Sequence, residues 1–201
     1  AMPFSRYLNI HSAHSPAWLE NGQRVAFLTD ITGTPQVWVV DANGGWPDQL
    51  TFFTEKVWTL SAAPDGSRLI CTRDIGGNEL YQMFLVDSNG VEVQRISRDL
   101  GAIYHFGAWS QDGNRIAFSS NQRNGTHFDV YVQEIDGGEQ EIVYQSKGMF
   151  GSPAYCRLTP FTFKAIIVSS LVLDSAPCHD LPVQSDEGPG LSAWSVPARL
   201  G

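Results

Sequence analysis

The chain has 201 residues, 42% hydrophobic and 17% charged, a balance that can bury a real core and excludes a disordered polymer. Its formal net charge of −8, with only 13 Lys and Arg, excludes a phosphate-neutralising surface, so no nucleic-acid partner is expected. No apolar run approaches the roughly 20 residues needed to span a bilayer, so no membrane association is expected, and Cys71, Cys156 and Cys178 lack metal-ligand spacing and read as small buried hydrophobes of a reduced, cytoplasmic compartment.

In chain order the first pattern runs from Ser15 to Phe27, with a turn at Asn21-Gly22 and a short apolar strand from Val25 to Leu28. A third strand follows at Gln36 to Val40, rich in residues that fit a pleated surface, then a turn cluster at Asp41 to Gly45 and an outer strand near Leu50. The pattern returns at Ser61, with the turn Asp65-Gly66, strands Leu69 to Cys71 and Gln82 to Val86, the cluster Asp87 to Gly90 and an outer strand near Ile96. It returns again at Gly107, with Asp112-Gly113, Ile116 to Phe118, Asp129 to Gln133, Asp136-Gly137-Gly138 and an outer strand near Ile142. Gly22, Gly66 and Gly113 are 44 and 47 residues apart, the ~40–50 residue length of a four-stranded β-propeller blade.

Two hairpins per repeat and no helical spacing predict an all-β fold: a partial β-propeller of three four-stranded antiparallel blades plus a degenerate fourth. Blades are expected at about 10–52, 53–98 and 99–147 within a propeller region 1–150. Trp18 and Trp109 are expected as wedges between blades. Arg24, Arg68 and Arg115 are expected to satisfy carbonyls or turn carboxylates at one recurring place.

After Gly148 the punctuation stops. Ser152-Pro153-Ala154-Tyr155 echoes the opening of the first repeat, and Ala165 to Val168 can serve as a buried strand, but no Asp-Gly turn joins them. Residues 151–201 are thus a degenerate blade or an irregular tail, and a change of reading frame near residue 150 is a third explanation.

The Trp-Ser-x-Asp-Gly-x-Arg-Ile-Ala-Phe form at Trp109 to Phe118, with looser copies at Leu19 to Gly22 and Ala63 to Gly66, resembles the repeat of TolB and of the amino-terminal propeller of prolyl oligopeptidase family (S9) serine peptidases. The resemblance covers about residues 8 to 145, and Thr29 to Trp38 with Gly44-Gly45-Trp46-Pro47 is more similar to the peptidase propellers. It implies a ring of six to eight blades covering a separate α/β-hydrolase domain, for which this sequence has no room. The nearest approach to a nucleophile elbow, Gly190-Leu191-Ser192-Ala193-Trp194, puts an indole where the second glycine belongs, and His179-Asp180 beside Cys178 is adjacency rather than geometry. No catalytic residue, metal ligand or cofactor is therefore expected.

The functional expectation is a non-catalytic fragment resembling a substrate-gating domain, which binds a peptide or protein through one loop face. The link between the second and third strands opens on the same face as the link to the next blade, and loops on a rigid scaffold carry binding residues. That places Asp30, Arg73, Asp74, Asn121 and Arg123, with Glu55, Tyr104 and His105 from the blade connections, on the candidate face. Arg73 and Arg123 suit a carboxylate, and Tyr104 and His105 suit stacking or hydrogen bonding. Two other readings stay open: a stand-alone propeller hydrolase with a metal held by carboxylates such as Asp30 and Asp74, and a TolB-like protein-interaction scaffold. An incomplete ring exposes apolar faces, so a homo-oligomer that closes the propeller is expected, with Phe4 to Ile10 or the tail at the join.

Overall fold

The computed structural model describes residues 11–146, together with the backbone of two further strands at 151–156 and 165–170. Strands β1 (Ala13–Leu19), β2 (Arg24–Thr29), β3 (Gln36–Asp41) and β4 (Asp48–Gln49) make the first four-stranded antiparallel sheet. A second contains β5 (Val57–Ala62), β6 (Arg68–Arg73), β7 (Gln82–Asp87) and β8 (Val93–Arg95), and a third β9 (Tyr104–Trp109), β10 (Arg115–Ser120), β11 (Asp129–Glu134) and β12 (Gln140–Tyr144). Each sheet is a meander in which sequence neighbours pair, which is the blade of a β-propeller. Strands β13 (Gly151–Cys156) and β14 (Ala165–Ser170) pair antiparallel as a two-stranded fourth element, in register from Gly151 with Ser170 to Cys156 with Ala165.

Period-two alternation decides which neighbour each side chain meets. In blade 1, Leu19, Ala26, Leu28, Val37, Val39 and Leu50 turn toward blade 2 and pack on Val57, Leu69, Cys71, Phe84 and Val86. The intervening residues of blade 2, among them Ala63, Ile70, Met83 and Leu85, face the other way and form a second core with Trp109, Ile116, Phe118 and Tyr131 of blade 3. The inner strands β6 and β10 are buried on both faces, which is why they read as continuous apolar runs. Cys71 lies in the first core, fully buried, and burial pushes its thiol pKa up to about 12, so it packs as a hydrophobe. Cys156 and Cys178 lie outside the residues whose side chains are described.

Trp109 is a wedge between blades, 8% exposed, whereas Trp18 is 63% exposed. This corrects the expectation for Trp18. Both occupy one register position, Trp18 opposite Val25 and Trp109 opposite Ile116, on the face turned toward the preceding blade. Blade 2 fills that place for Trp109, but no blade precedes β1 among the described residues.

At the end of the sheets that carries the Asn-Gly and Asp-Gly turns, arginines tie the blades together. Arg24 Nη1 reaches the Ser88 carbonyl of blade 2 at 3.2 Å, and also Glu20 Oε1 at 3.0 Å. Arg68 Nη1 reaches Asp136 Oδ1 of blade 3 at 2.9 Å. Both acceptors lie in the link between the third and fourth strands of the next blade, so the repeated arginine is an inter-blade tie.

Candidate functional site: the loop face

The opposite end of the sheets gathers the links 30–35, 74–81 and 121–128 with the blade connections 50–56 and 96–103. What fixes these connections is the first residue of each third strand. Gln36, buried, accepts from Thr51 Oγ1 at 2.9 Å and Phe53 N at 3.0 Å, while its amide donates to the Phe53 and Glu55 carbonyls, both at 3.1 Å. Gln82 repeats the device: it accepts from Ser97 Oγ at 2.7 Å and donates to the Ala102 carbonyl at 2.8 Å. In blade 3 the position is Asp129, also buried, which accepts from Ser146 N at 2.8 Å and is clasped by Arg123. Each buried side chain satisfies main-chain groups that a loop would otherwise leave unpaired, so the face is rigid.

Most of the sequence candidates serve this scaffold. Arg73 lies over the adjoining rings of Phe53 and Phe84, 4.3 and 4.5 Å from their centroids, and donates to Glu55 Oε2 at 2.7 Å and the Asp74 carbonyl at 2.9 Å. The Gly76 N–H, bonded to Glu55 Oε1 at 2.9 Å, and then the Arg73 charge hold the Glu55 carboxyl below its usual range. Arg123 binds Asp129 in a two-pronged pair and adds the Ser146 carbonyl at 3.3 Å. Asn121 accepts from Ile103 N at 2.7 Å and donates to the Gly125 carbonyl at 3.0 Å, closing its own loop. Asp30 accepts from Ser12 N at 2.7 Å, a bond that lowers its pKa with a contribution from His11, and Asp74 accepts from Glu79 N at 3.3 Å.

Tyr104 is fully buried against Phe118, its hydroxyl accepting from Asp99 N at 2.9 Å and donating to Gln122 Oε1 at 2.6 Å. It therefore belongs to the core rather than to the surface. Its neighbour His105 points the other way, half-buried between Tyr81 and Phe128, with ring centroids 6.4 and 5.3 Å away, and burial lowers its pKa. These candidates do not converge on one point. Among the described residues no group of three or more His, Cys, Asp or Glu side chains is placed to hold a metal ion.

What the loop face does present is a row of rings of which the sequence points only to His105. Trp58 meets Tyr81 edge to face at 5.7 Å, Tyr81 meets His105, and His105 stacks on Phe128. Lys56 Nζ caps the row 3.8 Å above the Trp58 ring. Exposure rises along it, from Phe128 at 6% to Trp58 at 45%. The β5–β6 register slips at Trp58, between Val57 opposite Arg73 and Thr59 opposite Thr72, and such a bulge re-aims a side chain. The repeat held the signal: Trp58 and His105 are 47 residues apart near the start of the first strand, and Tyr81 and Phe128 are 47 apart just before the third. On the opposite end, Trp18, Asn21, Gly22, Pro64, Asp65 and Gly66 line an open, shallow depression.

No protein-family model matches the chain. The Tol-Pal system protein TolB of Xanthomonas campestris pv. campestris is 31% identical over 77 residues, 38% of this chain and 17% of that protein. Among solved structures, TolB from Acinetobacter baumannii superposes with a TM-score of 0.55 at 24% identity, covering 71% of this chain and 34% of that one. The β-propeller domain of the Trilobed protease from Pyrococcus furiosus superposes with a TM-score of 0.53 at 12% identity, covering 73% and 46%. The chain thus spans less than half the length of these relatives, and the structural likeness carries the fold: a TolB-like β-propeller whose neighbours include the propeller domain of a protease.

Proposed function

We propose that this chain is a non-catalytic β-propeller segment that binds a peptide or protein partner across its loop face, in the manner of a propeller that gates access to a peptidase. The observation that carries the reading is the aromatic row from Trp58 to Phe128, graded from buried to exposed and anchored on a rigid scaffold. Aromatic side chains give large contact area at low entropic cost, and an exposed row of them is a surface for apolar or aromatic side chains of a ligand. A TolB-like scaffold that holds a lasting protein partner is the second reading, supported by the 31% identity to a TolB over 77 residues.

Binding of a mixed-sequence peptide library to the immobilised chain tests the first reading. Trp58→Ala is expected to reduce capture at least about tenfold, the scale of an interface hot spot, while Trp46→Ala, at the opposite end of blade 1, leaves it unchanged. Equal losses for both variants would sink the assignment of the face. Saturable turnover of peptide or ester substrates by the unaltered chain would overturn the non-catalytic reading.

A further inference from the structure

We propose that Lys56 is the anion-recognition element of this face, and that the ligand taken by the aromatic row is an acidic peptide segment whose carboxylate neighbours an aromatic or aliphatic side chain. The inference rests on the reading of the loop face as a peptide-binding surface and names the class of peptide. Its starting point is a difference among cations. Arg73 is neutralised by Glu55 and Arg123 by Asp129, so neither guanidinium is available to a ligand carboxylate without breaking the scaffold.

Lys56 is exposed and takes part in none of the ion pairs found among the described residues. Its ammonium lies over the Trp58 ring, and a cation–π contact orients a charge without neutralising it. The adjacent carboxylate, Glu55, already accepts from Arg73 and from Gly76 N. Overall the chain carries a net charge of −8, which repels an anion at long range, but beyond roughly 8 Å that field is screened at physiological salt. At close range Lys56 offers a charge that forms no ion pair among the described residues, and the exposed Trp58 and the partly buried Tyr81 offer rings beside it. A carboxylate on Lys56 thus puts its neighbouring apolar side chain on the row.

The test is fluorescence anisotropy on the full chain with a labelled peptide of alternating Glu and Phe and its Gln-for-Glu counterpart. At physiological salt the Glu peptide is expected to bind about threefold to fivefold tighter, the range an exposed ion pair supports. Lys56→Gln is expected to erase that preference, Lys56→Arg to restore it, and Trp58→Ala to lose both peptides. A preference that survives Lys56→Gln overturns the role of Lys56. Equal binding of the two peptides, abolished by Trp58→Ala, overturns the acidic ligand but keeps the site, whereas no binding of either peptide overturns both.

Discussion

Gly66 of blade 2 and Glu20 of blade 1 meet backbone to backbone: the Glu20 N–H donates to the Gly66 carbonyl at 3.3 Å, and a Cβ on Gly66 would lie 2.5 Å from the same nitrogen. Gly66 also has φ +70, in the left-handed region. Gly66→Ala is therefore expected to cost about 3 kcal/mol, combining strain at positive φ with a clash that side-chain motion cannot relieve. Gly22→Ala, at φ +87 with open space around it, is expected to cost about 1 kcal/mol. Urea unfolding of the two variants measures the difference, and equal costs would rule out the close approach.

The buried amide of Gln82 holds the Ala102 carbonyl and the Ser97 hydroxyl. Gln82→Leu fills the same space but leaves both partners buried and unpaired, for an expected loss of about 2–4 kcal/mol. A change below about 1 kcal/mol in the unfolding free energy would mean that the connection is held by something else.

His105 has its pKa held below the ordinary value near 6.5 by burial between Tyr81 and Phe128. A depressed base is protonated more readily in the unfolded chain, so its contribution to stability is fully present above pH 6.5 and is lost as pH falls toward the folded pKa. The melting temperature is expected to drop between pH 7 and pH 5. His105→Phe keeps a ring in the row and is expected to shrink that drop; an unchanged profile would show that other groups carry it.

Trp18, 63% exposed where its counterpart in the third blade, Trp109, is packed on a neighbouring blade, marks the face through which self-association is expected. Static light scattering of the chain at micromolar concentration should give a mass above the monomer, and Trp18→Glu should return it to the monomer without changing the far-ultraviolet circular dichroism. A monomer throughout would refute association through this face. The Phe4 to Ile10 segment and residues 171–201 of the tail, also expected at the join, lie outside the described residues.

The blade architecture was legible because it is local. The Asn-Gly and Asp-Gly turns and the apolar runs of β2, β6 and β10 each depend on residues close in the chain, and the 44- and 47-residue spacing shows the same local pattern repeated. The arginine ties were legible as a recurring role, though not the acceptors, since Arg68 and Asp136 stand 68 residues apart. Cys71 was readable as a core residue because it sits mid-run in a strand buried on both faces.

Which charges are free was decided only by the tertiary structure. Arg73 reads as an available loop cation until the blade connection brings Glu55, 18 residues away, to 2.7 Å. Lys56 reads as an ordinary surface lysine until a bulge turns Trp58 beneath it. A sequence determines alternation and turns through steric rules that act over a few residues, but neutralisation depends on distances between atoms far apart along the chain. Those distances exist only once the blades have packed.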